Sequence, residues 1–218
     1  TLYTSSGVSG LGNEAITVSD SGSIAASTLS AIAAVNTSGT IKATSAATVT
    51  GTAAEIIASF GNSTITEATN VAITVNSGTA SLSQARTIDG YTTGVVTATI
   101  ADTRVSDLVG DSPLLDANGN NAFTVTIGTA DAEITAANLT TLNGLTSVAI
   151  EAGNVTKITG TVSATNTVYA AAGNSQINGL GNEAVVISGE SSNTLSDAST
   201  LNTLDGYTTG TVNAGSLT

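Results

Sequence analysis

The sequence predicts a mainly β protein with short helices, built as a repeat solenoid: parallel β-solenoid-like coils, a period of about 57 residues and two coils per repeat. Three observations carry this expectation. Gly10-Leu11-Gly12-Asn13-Glu14-Ala15 returns unchanged at Gly179–Ala184, and Asp89-Gly90-Tyr91-Thr92-Thr93-Gly94 returns at Asp205–Gly210. The offsets, 169 and 116 residues, are near three and two times 57. Secondly, a strand-like word recurs as Ala15-Ile16-Thr17-Val18, Ala72-Ile73-Thr74-Val75, Ala122-Phe123-Thr124-Val125 and Ala184-Val185-Val186-Ile187, at spacings of 57, 50 and 62 residues. Thirdly, Ala, Thr, Ser, Gly and Val dominate and aromatics are only 3%. Small side chains fill only a thin core at normal packing density.

The unit over 15–71 shows why each element is expected. Ala15–Val18 alternates and is β-branched, so it reads as a strand whose Ile16, like Ile73, Phe123 and Val185, faces inward. Asp20-Ser21-Gly22 is a turn, and Ser23-Ile24-Ala25-Ala26 a second short strand. Leu29 and Ile32, at i and i+3 behind Ser27, suggest one or two helical turns. Thr40–Ala43 and Thr48-Val49-Thr50 return to β structure. Thr52–Phe60 is the best helix: Thr52 and Glu55 make a capping box, Ile56, Ile57 and Phe60 share one side, and Gly61-Asn62 ends it. Words such as Leu201-Asn202-Thr203-Leu204 precede a turn and a further strand-like segment, Thr211–Ala214. The chain therefore divides into one array, 1–218, of units 15–71, 72–121 and 122–183 with part-units 1–14 and 184–218, expected to be a fragment of a longer chain. The rival, a string of Greek-key sandwiches, needs larger modules and the big buried aromatics this chain lacks.

Composition narrows the function classes. Net charge is −12, with 16 acidic and 4 basic residues, so no basic surface meets nucleic-acid phosphates. The same sign disfavours an anionic membrane surface, and no apolar run is long enough to span a bilayer. Cys, Met, Trp and His are absent, which removes disulfides, thiolates and His-based metal sites. Disorder is disfavoured, because 40% of residues are apolar and recur in strand-like words.

Candidate sites are few. Asp116, Asn118 and Asn120 space three oxygens like the first half of a calcium loop, but position six is Asn121 rather than Gly and position twelve is Ile127 rather than Glu. Surface calcium is the one cofactor this half-motif allows. Asp131 with Glu133, or Asp107 with Asp111, could be read as acid–base pairs. Scattered acids on so acidic a surface are normally solvating charges, so no catalytic residue and no enzyme activity is assigned. Thr17, Thr48, Thr50, Thr97, Thr99, Thr124 and Thr126 form Thr-x-Thr words, the pattern of a flat ice- or surface-binding ladder, though their phase shifts between units. Tyr91 and Tyr207 are expected as packing caps over a thin core. Asn36, Asn62, Asn138 and Asn154 fit the N-glycosylation pattern, which a Ser/Thr/Asn-rich chain meets by chance.

The words Leu201–Ala214 and Gly179–Ala184, together with Val49-Thr50-Gly51-Thr52-Ala53-Ala54-Glu55, resemble repeats in giant cell-surface proteins of marine cyanobacteria. The resemblance runs through essentially the whole chain, and is weakest where Val105-Ser106-Asp107-Leu108 replaces the Thr-Gly-Thr word. It implies an extracellular structural protein of a filament or surface layer, acting by self-association, and supplies no catalytic residues. A stalk of an adhesin or phage-type fibre is the alternative, and a Thr-rich ice- or surface-binding solenoid a second. Self-association makes the partner a homopolymer or neighbouring repeats, with neither nucleic acid nor membrane insertion.

Overall fold

The computed structural model describes residues 12–110, 113–114, 120–188 and 198–215. It forms two compact units, one of residues 1–101 with 115–122, the other of 102–114 with 123–218.

In the first unit, strands and helices alternate: β1 (Ile16–Thr17), β2 (Ser23–Ala25), α1 (Ala26–Val35), β3 (Ile41–Ala43), β4 (Thr48–Gly51), α2 (Ala53–Phe60), β5 (Ile65–Glu67), β6 (Ala72–Val75), α3 (Leu82–Asp89) and β7 (Val96–Thr99). Two parallel sheets form, one in the order β1-β3-β5 and one containing β2-β4-β6-β7. In the larger sheet Ile24, Val49, Ile73 and Val96 stand in register, 25, 24 and 23 residues apart. This inward row is buried, its last three members completely. Helices α1, α2 and α3 pack side by side and contribute Leu29, Ile56 and Ile88, each fully buried. Complete burial of such a side chain is worth about 1.5–3 kcal/mol. Every second strand residue points outward, as at Lys42 between buried Ile41 and Ala43.

The second unit repeats this scheme with α4 (Val105–Val109), β8 (Ala122–Thr124), β9 (Glu133–Thr135), α5 (Ala136–Asn143), β10 (Ile150–Glu151), β11 (Lys157–Gly160), α6 (Val162–Gly173), β12 (Ile177–Asn178), β13 (Ala184–Ile187), α7 (Ala198–Asp205) and β14 (Val212–Asn213). Its larger sheet runs β14-β13-β11-β9, with Ile134, Ile158, Val185 and Val212 in register, and β10 pairs β12. All described strand pairs of both units are parallel.

These findings correct the expected class. The protein is α/β with parallel sheets, not a mainly β solenoid: helix, at about 33%, outweighs strand, at about 25%. Among the described residues strands are only two to four residues long, whereas four of the α-helices run to eight residues and two exceed that. Small-residue text explains the misreading. Alanine is the best helix former, and Ala- and Thr-rich segments such as Val162–Gly173 become helix once one face is buried. Leu201–Leu204 lies in α7, and the segment expected as one or two helical turns extends over Ala26–Val35. The helix anticipated behind the Thr52–Glu55 box is α2, with both box hydrogen bonds formed and Gly61 as its C-cap. Val105–Leu108 falls in the short helix α4.

The 57-residue spacing is also not the spacing of the fold. Ile16 and Ile73 lie in different sheets, and Ile16 is half-buried where Ile73, Phe123 and Val185 are fully buried. What the recurring word keeps is a local role. Ile16, Ile73 and Val185 pair with Ile41, Val96 and Val212, each on the strand after the next helix.

Candidate functional site

The two sequence words that recur unchanged build the joints between successive βα turns. At the end of α3, Gly90 donates its N–H to the Arg86 carbonyl and closes the helix. Tyr91 then stacks on Phe60 of α2, with ring centroids 5.1 Å apart. Thr92 Oγ1 donates to the Val71 carbonyl at 2.6 Å and accepts from the Gly94 N–H at 2.8 Å, while the Thr93 N–H donates to the Thr69 carbonyl. A Cβ at Gly94 would stand 2.5 Å from the Asn70 oxygen and 2.6 Å from the Val71 oxygen. Only glycine lets the two backbones approach so closely. The joint after α7 is the same: Tyr207 stacks on Tyr169 at 5.5 Å, Thr208 Oγ1 donates to the Glu183 carbonyl, the Thr209 N–H donates to the Gly181 carbonyl, and Gly210 lies against Glu183. Thr146 reproduces the hydroxyl part after α5, donating to the Phe123 carbonyl and accepting from the Phe123 N–H.

The Gly-Leu-Gly-Asn-Glu word makes a turn ahead of a strand. Gly12 and Gly181 both have positive φ, +120° and +133°, and the following glutamate accepts the glycine N–H with its own carboxylate. Gly10 and Leu11 lie outside the described residues. Glu183 is fully buried, and Tyr169 Oη donates to its Oε2 at 2.8 Å. Burial, reinforced by that hydrogen bond and the carboxylate's charge, pushes the Tyr169 hydroxyl well above its usual value.

Two buried asparagines complete the joints. Asn36 donates from Nδ2 to the Glu14 carbonyl and accepts the Glu14 N–H on Oδ1. Asn121 donates from Nδ2 to the buried Asp89 carboxylate at 2.6 Å and accepts the Val96 N–H at 2.8 Å. A carboxamide offers both a donor and an acceptor, so one side chain ties two groups of the preceding turn.

Among the candidates, Asp116, Asn118 and Asp111 lie outside the described residues, and Asn120 is exposed. Asn121, position six of that calcium half-motif, is turned to the Asp89 joint instead. Asp131 and Glu133 have separate partners: Asp131 accepts the Val105 N–H at the start of α4, and Glu133 pairs with Lys157, its neighbour across β9 and β11. They flank, with Ser106, Thr135 and Asn138, an open hollow of about 330 Å³. A second groove, about 460 Å³ between α6 and α7, presents the hydroxyls of Ser163, Thr167, Ser199 and Thr203 with the Asn166 carboxamide. No cluster of three or more His, Cys, Asp or Glu side chains able to hold a metal occurs among the described residues.

The threonine words separate by sheet. Thr50, Thr74 and Thr97 form one in-register outward row, but Thr48 faces Ala72 in the next row, Thr17 lies in the other sheet beside Lys42, and Thr124 and Thr126 belong to the second unit. Of the glycosylation-pattern asparagines, Asn36 is fully buried and Asn154 donates to the Ile127 carbonyl. Among the described residues no helix is long and apolar enough to cross a membrane.

Sequence reasoning missed the paired asparagines and the Glu183–Tyr169 contact. The signal available was the exact recurrence of Asp-Gly-Tyr-Thr-Thr-Gly and Gly-Leu-Gly-Asn-Glu, which marks residues with a fixed task. Comparison with protein-family models, curated proteins and solved structures finds no match to the chain.

Proposed function

We propose that the chain is a structural module whose activity is the stacking of βα turns on one another, serving self-association in an extracellular filament or cell-surface layer. The observation that supports this reading best is the duplicated joint. The same aromatic stack, threonine tie and glycine contact recur in two units, at Tyr91–Gly94 and Tyr207–Gly210. A joint made of backbone contacts and small side chains works wherever one turn meets another, which suits an array of unlimited length. The acidic, sulfur-free composition and the resemblance to cyanobacterial surface repeats support the location.

The test is electron microscopy combined with sedimentation of the purified protein over a wide concentration range. Periodic filaments or layers support the reading. A protein that stays monomeric throughout, or a longer chain in which these repeats carry a distinct terminal head, points instead to the stalk.

A further inference from the structure

The joint at Asp89 has a counterpart at Asp205, where the matching docking position is open among the described residues. In the first unit Asp89 is nearly fully buried because Asn121, the residue immediately ahead of β8, donates to its carboxylate and accepts the Val96 N–H. Asp205 and Val212 stand at the matching places, 116 residues on, Asp205 opening the same hexapeptide and Val212 following it. Asp205 is exposed and Val212 half-buried. Val185 N–H donates to the Thr211 carbonyl, as Ile73 N–H does to that of Val95. In a parallel ladder this directs the Val212 N–H to the opposite side of its strand, as it directs that of Val96 to Asn121.

The apolar part of the position is open as well. Leu201 is half-buried, whereas its counterparts Ala85 in α3 and Leu139 in α5 are covered. Val96 and Ile150, the counterparts of Val212, are fully buried. Leu201, Asn202, Asp205 and Val212 line a hollow of about 290 Å³.

Interior turns show what fills such a place. Where the aspartate position holds Ala34 or Asn143, the strand N–H of Ile41 or Ile150 goes to a main-chain carbonyl just ahead of the next strand, Thr64 or Gln176. Where it holds Asp89, the residue just ahead of the next strand is Asn121, and its side chain takes the N–H. The aspartate needs a donor, and a carboxamide supplies one while accepting the N–H.

The geometry points to a specific occupant: the Leu201–Asp205–Val212 hollow docks a further βα repeat whose strand is headed by an asparagine. That carboxamide donates to Asp205 and accepts from the Val212 N–H, while the strand's first apolar side chains cover Leu201 and Val212. This deepens the stacking reading and rests on it, by naming the chemistry of the neighbouring repeat.

The probe is a synthetic peptide of residues 120–128, added to the isotopically labelled protein, with amide exchange at Val212 as the readout. Slowed exchange at Val212 on saturation is expected. Asp205→Ala, at an exposed position, and an Asn121→Leu peptide should each weaken binding about tenfold or more, the scale of one lost charge-assisted hydrogen bond. Equal binding of the Asn121→Leu peptide overturns the proposal, as does full binding by Asp205→Ala. So does a Val212 amide that the peptide leaves unchanged, including one protected only by raising the protein concentration, since a second copy would then be the occupant. These outcomes do not depend on whether filaments form, so this inference and the filament reading can fail separately.

Discussion

Gly94→Ala tests the idea that close backbone approach, rather than side-chain mass, holds successive turns together. The added Cβ would sit 2.5 Å from the Asn70 oxygen and 2.6 Å from the Val71 oxygen. Ordinary carbon–oxygen contacts begin at about 3.3 Å, so the strands must part by somewhat under 1 Å. Both obstacles are backbone atoms at the entrance to β6 and cannot rotate away. Separation on that scale breaks the 2.6 Å bond from Thr92 Oγ1 to Val71 and strains the 2.8 Å bond from Thr93 to Thr69. Overpacking costs about 1–3 kcal/mol and the threonine bond about 1 kcal/mol more, against about 0.4–1 kcal/mol gained by restricting the unfolded chain. The net expectation is a loss of about 1–3.6 kcal/mol. Gly22→Ala is the control. Nothing lies within 4 Å of its added Cβ, so only the unfolded-chain gain remains. Urea unfolding followed by circular dichroism gives both values. If Gly94→Ala is as stable as Gly22→Ala, close approach is not what fixes this joint.

Further substitutions probe the polar contacts one at a time. Tyr169→Phe removes the donor to the buried Glu183 carboxylate and should cost about 1–3 kcal/mol in the same unfolding assay. Because the folded protein holds the Tyr169 hydroxyl above its unfolded value, its contribution is intact below about pH 10 and is lost as pH rises beyond that; Tyr169→Phe should flatten this alkaline limb of a urea-midpoint profile. Glu67 is raised by burial, partly offset by the Ser59 hydroxyl, so stability falls as pH rises above the ordinary carboxylate range; Glu67→Gln should remove that decline from a urea-midpoint profile. Thr52→Ala breaks the capping box of α2 and should cost about 1 kcal/mol, seen as a lower urea midpoint.

What the sequence disclosed depended on how local each signal was. The capping box of Thr52 and Glu55 spans one turn and forms as read. Ser81 and Gln84 carry the same signal ahead of α3, and it forms there too. The α/β class was missed because Ala, Thr and Ser sit almost equally well in helix, strand and turn, and burial decides among them. The words recur every 50 to 62 residues, while neighbouring strands recur every 23 to 27. Asn121 was illegible for another reason. Its partner Asp89 is 32 residues away, and a single carboxamide beside a candidate calcium turn carries no mark of the contact it makes.

The buried polar joints have a task that the apolar core cannot perform. Neighbouring turns present much the same inward residues, Ile, Val and Ala, on strands of two to four residues. Exchanging one turn for another changes little apolar contact. The polar pairs are not interchangeable. Asn36 meets both polar groups of the Glu14 backbone, Asn121 meets Asp89 and Val96, and Tyr169 meets Glu183. A slip by one residue leaves each of these buried groups without its partner, at about 1–3 kcal/mol apiece. Small side chains thus supply a generic adhesion between turns, and a few asparagine, aspartate, glutamate and tyrosine contacts select the order and register in which turns adhere. In an array whose words recur almost unchanged, that selection is what keeps one repeat from taking the place of another.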